Sequence, residues 1–149
     1  MQQNVRVAIV AAIVLLSLGT RPVVVSSAGK ELRVVALPGM QYPTLARFAL
    51  VQGTVRLRVV VAADGHVLRA QPIVEAWEGS RWSQEALLRA AAENTLQWRF
   101  AKLDNESQVT VEYDFRLEGE RTHCPWTIVN FEPPHRVTVI ARPPPELIH

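Results

Sequence analysis

The clearest alternation of apolar and polar positions runs from Gln108 to Leu117, with Val109, Val111, Tyr113, Phe115 and Leu117 on one side and Thr110, Glu112, Asp114 and Arg116 on the other. A two-residue period of this length predicts a strand with one buried and one solvated face. The period recurs from Thr54 to Ala62, where Val55, Leu57, Val59 and Val61 alternate with Arg56 and Arg58. Asp64-Gly65 then supplies a hairpin turn, since glycine accepts the positive φ such turns need. The returning strand spans about His66 to Val74. Pro72 has no N–H to give to a central ladder, so this strand should end there or lie partly at an edge.

Helical spacing appears in two places. Tyr42-Pro43 precedes Leu45, Ala46, Phe48 and Ala49, which can pack one face of a helical turn opened by proline and ended by Gly53. Ala86, Leu87, Ala90 and Ala91 lie on one side of an alanine-rich helix capped by Ser80 or Ser83, after a polar connection over Glu75 to Arg81. Trp98-Arg99-Phe100 follows it, and an extended backbone there would point both rings into the core. Leu32, Val34 and Ala36 suggest a short extended segment before Tyr42. Glu118 to Pro134 reads as turn residues, Arg136 to Ile140 as one more short strand, and Pro143-Pro144-Pro145 as a stop to pairing. Strand, hairpin, strand, helix, strand is an α+β layout that buries one helix face on one sheet face.

At 149 residues and 48% hydrophobic composition, the chain is long enough for one core. Its first segment reads as an export signal: one charge in Met1 to Arg6, then an apolar run from Val7 to Gly19. That run is shorter than the roughly 20 residues a spanning helix needs, and Arg21 and Pro22 interrupt it. Ser26-Ser27-Ala28 offers a cleavage site after Ala28, and retention as a signal anchor is the alternative. Of the 16 basic residues, Arg6 and Arg21 belong to this segment, and the remainder equal the 14 acidic ones in number. The remaining basic residues are scattered singly, which argues against a nucleic-acid surface.

No arrangement of residues calls for catalysis or a cofactor. His123, Cys124 and His135 are the only group with any prospect of convergence on a metal, and adjacent His and Cys point apart in extended chain. Nothing in their spacing places a base beside Cys124, whose expected fate is burial as a small hydrophobe. Glu112 and Asp114 share a strand face, as an acid–base pair or an ordinary soluble surface would. No glycine-rich phosphate loop occurs.

The order of signals, Tyr42-Pro43 with Ala46, Gln52-Gly53-Thr54-Val55, Asp64-Gly65-His66-Val67, Ala86-Leu87 and Trp98-Arg99-Phe100, closed by an alternating strand, resembles the C-terminal domain of the energy transducer TonB. The resemblance implies a ββαβ fold, an antiparallel three-stranded sheet packed on a helix, with an extra C-terminal strand in this chain. It divides the sequence into a signal peptide or anchor (1–28), a lead-in (29–41), the TonB-like domain (42–118) and a C-terminal extension (119–149).

The resemblance also implies a non-catalytic periplasmic module without metal or cofactor. Such a module binds a protein or peptide partner, an outer-membrane transporter being the family's example, by β-strand addition to a sheet edge. Carried over by position, that edge is Gln108 to Leu117, with Thr110, Glu112, Asp114 and Arg116 as its outward side chains. The alternatives are a short energy transducer anchored in the inner membrane, and a dimerising structural domain. The chain departs from the family in lacking a Pro-rich spacer before Tyr42, in having no histidine in its apolar run, and in having Ala101 rather than proline after Trp-x-Phe. Its extension raises the expectation that Arg136 to Ile140 pairs with the receiving edge.

Overall fold

The computed structural model describes residues 32–73 and 81–146, the side chains of 81–83 excepted. The export segment and nearly all of the Glu75–Arg81 connection lie outside the described residues. The chain runs through β1 (Val34–Ala36), α1 (Thr44–Phe48), β2 (Gly53–Val61), β3 (Val67–Pro72), α2 (Arg81–Leu96), β4 (Arg99–Phe100), β5 (Ser107–Leu117), β6 (Thr127–Glu132) and β7 (Arg136–Ala141). α2 begins at Arg81, so Ser83 lies inside it, and Ser80 is not among the described residues.

The α+β fold expected from the sequence is present. β2, β3 and β5 form the antiparallel three-stranded unit, extended by two further strands into a five-stranded sheet of order β3-β2-β5-β7-β6. β7 joins β5 in parallel, with Glu112 opposite Arg136 and Leu117 opposite Ala141. β6 closes the sheet as the antiparallel hairpin partner of β7. The extension therefore holds two strands. The turn-like reading of Glu118 to Pro134 overlooked Val129 and Phe131, which alternate with Ile128, Asn130 and Glu132 in the second half of that stretch.

Period-two patterning explains the core. Val55, Leu57, Val59 and Val61 from β2, Val111, Tyr113 and Phe115 from β5, and Val137, Val139 and Ala141 from β7 all face one side and are fully buried. α2 covers β3 and β2 with Leu87 and Ala91. Trp98 and Tyr42 cover the other half: Trp98 packs edge-on against Phe131 at 6.0 Å, and Tyr42 edge-on against Phe115 at 5.6 Å. β1 pairs with β4 in a separate two-stranded ladder, as the extended pattern of the lead-in suggested. Phe100 and Trp98 are both buried. At the β2–β3 turn, Gly65 adopts φ 93° and its carbonyl accepts from the Phe100 amide at 2.8 Å, so a Cβ there would sit 2.0 Å from the Phe100 carbonyl oxygen. Only glycine fits.

α1 corrects one expectation. Leu45 and Phe48 are exposed rather than packed, and the buried face belongs to Ala46 and Arg47. The Arg47 guanidinium donates to the carbonyls of Arg142, Thr122 and Pro143, which ties α1 to both ends of the extension. Cys124 is likewise exposed rather than buried, because the loop before β6 runs along the surface.

A polar network inside the core joins the helix to the sheet. Tyr113 Oη meets Thr95 Oγ1 at 2.7 Å and donates to Asn94 Oδ1, which also accepts from Trp98 Nε1 at 3.0 Å. The Asn94 amide in turn donates to the carbonyls of Pro38 and Gly39 in the lead-in. Every buried polar side chain among the described residues is satisfied.

Burial raises the phenol pKa of Tyr113. Burial, with a smaller contribution from the Asp114 charge, does the same to Tyr42. The unfolded chain therefore loses these protons first, near pH 10, while the folded chain keeps them. Stability should fall as pH rises from about 10, at about 1.4 kcal/mol per pH unit for each phenol. Thermal melts at successive pH values should show this decline, and Tyr42→Phe should reduce its slope.

Candidate partner-binding surface

The face of the sheet opposite the helices is set by strand register. Arg56 on β2 lies opposite Glu112 on β5, Glu112 opposite Arg136 on β7, and Arg136 opposite Glu132 on β6. One transverse row thus alternates plus, minus, plus, minus across four strands. Its contacts are Arg56–Glu112 at 3.1 Å, Arg136–Glu112 at 3.4 Å and Arg136–Glu132 at 4.0 Å. In the next row Asp114, only 8% exposed, takes a hydrogen bond from Arg116 Nε at 2.8 Å and lies 3.6 Å from Arg136. Asp114 in turn pushes the Arg116 guanidinium pKa up. Pairs this exposed to solvent add little to stability. Their larger effect is on register, since a slip by one residue would bring apolar side chains into the row.

The side chains expected to meet a partner are therefore divided. Glu112, Asp114 and Arg116 are drawn together in this internal ladder. Thr110 sits apart from it, exposed and opposite Arg58.

β5 is not an edge. β2 lies along one side of it and β7 along the other from Glu112 to Leu117, so the backbone there is paired twice. The physical reason is the apolar face of Val137, Val139 and Ala141, which can be buried only by continuing the sheet. The pairing anticipated for Arg136 to Ile140 is present, and it moves the edge outward to β6.

The ladder identifies which β6 groups face outward. Glu112 N–H donates to His135 carbonyl and Glu118 N–H to Ala141 carbonyl, so odd-numbered residues of β7 bond to β5. Even-numbered ones then bond to β6, through the pairs Ile128/Ile140, Asn130/Thr138 and Glu132/Arg136. The N–H and C=O groups of Thr127, Val129 and Phe131 consequently point away from the sheet. No described strand pairs with them. The hydrogen bonds between the described lead-in and the hairpin lie at the hairpin's ends: Tyr42 N–H donates to Thr127 Oγ1, and His135 Nε2 pairs with Leu32 carbonyl. The opposite edge, β3, ends at Pro72 and carries a register shift between its partners Val60 and Val61, both of which blunt pairing.

His135 is thus engaged with the lead-in, while His123 and Cys124 are exposed. Among the described residues no helix is long and apolar enough to cross a membrane.

The family model for the Gram-negative bacterial TonB protein C-terminal matches residues 38–118. The chain belongs to the TonB C-terminal family. The family is a non-enzymatic protein-interaction domain of TonB-type envelope transport that acts in the periplasm. No curated protein matches the chain significantly. The match spans α1 to β5 and stops before β6 and β7, so the hairpin that relocates the edge lies outside the TonB-type segment.

Proposed function

We propose that this chain is an exported protein-binding module whose β6 edge receives an extended segment of an envelope partner by strand addition. Family membership favours an outer-membrane transporter as that partner. Residues 1–28 direct export, and the mature chain works in the periplasm. The observation that carries the reading is the outward backbone of Thr127, Val129 and Phe131 at the end of a five-stranded sheet, with no strand partner among the described residues. Such a row of donors and acceptors is a template for another strand.

Val129→Pro tests it. Proline at that position removes an outward N–H while leaving the bonds between β6 and β7 in place. A photo-crosslinking residue at Asn130 of the full chain, in its own cell envelope, should capture a defined protein. Adding Val129→Pro should abolish that crosslink while the chain still melts cooperatively. Capture at Leu68 on β3 that persists in the Val129→Pro chain would overturn the proposal.

A further inference from the structure

The transverse row Arg56–Glu112–Arg136–Glu132 ends on a carboxylate at the open edge. Arg136 is shared among Glu112, Asp114 and Glu132, and its contact with Glu132 is the longest of the three. Glu132 is also the most exposed of those carboxylates, at 56%, and it accepts a neutral hydrogen bond from Thr138 Oγ1 at 3.2 Å. At the edge end of the row Glu132 thus presents a half-exposed carboxylate whose one nearby guanidinium is shared with two other carboxylates.

Two rows away, Arg116 lies opposite Ile140 and Ile140 opposite Ile128. Ile128 is 44% exposed at the edge. Between these rows stands Asn130. The edge thus offers, on one face and at two-residue spacing, an apolar, a neutral polar and an anionic position. In an antiparallel addition these three occupy non-hydrogen-bonded pairs, where facing side chains approach most closely.

We propose that the partner segment added to β6 is antiparallel and carries a basic residue followed four positions later by an aliphatic one. The basic residue lies beside Glu132 as the fifth member of the charge row, a small polar residue lies beside Asn130, and the aliphatic residue covers Ile128. This rests on strand addition at β6 and specifies what is recognised there.

The test uses the full chain and acetylated, amidated nine-residue peptides. One has lysine and valine four apart around a central threonine; a second replaces lysine with glutamate; a third reverses the order of lysine and valine. The first should bind about threefold to tenfold tighter than the other two. Glu132→Lys should invert the preference between lysine and glutamate. Charge-blind or order-blind binding, or no binding of any peptide, overturns the proposed segment. N-methylation of the edge-facing amides separates the two levels. If it weakens a charge-blind interaction, strand addition stands and the segment fails; if it has no effect on a peptide that binds, strand addition itself fails.

Discussion

A chain ending at Glu120 is expected not to fold, although it contains the whole TonB-type match. Its loss would remove Val137, Val139 and Ala141, all fully buried, and the half-buried Val129 and Phe131 that pack with them. At about 1.5–3 kcal/mol for each buried Val or Phe side chain, the hairpin contributes on the order of the 5–15 kcal/mol that hold a domain together. Asp114 would lose Arg136, and Phe115 and Trp98 would be partly bared to water. Circular dichroism during heating should show no cooperative transition, and limited proteolysis should degrade the shortened chain. A cooperative melt within a few degrees of the full chain would mean instead that β6 and β7 are a removable plug over the β5 edge. The burial of β7 argues for a permanent part of the sheet.

Much of the architecture was legible because period-two patterning dominates β2 and β5, and because Asp64-Gly65 has few structural alternatives. The helix reading of Ala86, Leu87, Ala90 and Ala91 succeeded for the same reason: spacing and propensity agreed. The failures share a different cause. Leu45 and Phe48 resemble a packing face in sequence because hydrophobicity carries no direction, whereas α1 is a single short helix whose inner side is chosen by Arg47 reaching three carbonyls of the extension. β6 was hidden by Cys124-Pro125 before it and Pro133-Pro134 after it, which made a strand bounded by turns read as one long turn.

The candidate site was legible only in part, and for a topological reason. That Thr110, Glu112, Asp114 and Arg116 share an outer face follows from alternation alone. Whether their strand has a free neighbour position does not, because edge status depends on which distant segment pairs there. β7 arrives from about twenty residues downstream and in parallel, a pairing that local periodicity cannot register. Once β7 is in place, the carboxylates of β5 become internal members of a charge row, and the last strand of the sheet is the one that carries Ile128, Asn130 and Glu132.

Replacing Arg47 should produce the largest effect of any single side chain outside the apolar core. Its side chain is buried, and its charge is held by carbonyl oxygens and the face of Phe48, 5.7 Å away: Nε donates to Arg142 at 2.7 Å, and Nη2 to Thr122 and, at 3.5 Å, to Pro143. Leucine at this position would leave these acceptors with no donor in a site that a hydrophobe cannot rehydrate. Each lost charged hydrogen bond is worth about 1.5–3 kcal/mol, so Arg47→Leu should cost about 3–5 kcal/mol. For a domain of this size that lowers the melting temperature by roughly 10–20 °C. Lysine keeps the charge but presents it as a point rather than a planar fork, and should recover only part of the loss. Because Arg47 joins the TonB-type segment to the strands that supply the new edge, amide hydrogen exchange in Arg47→Leu should rise first in 119–126 and at the start of β6. Uniform acceleration across β2 and β5 as well would show that the extension has no local stability of its own and that edge and core melt as one unit.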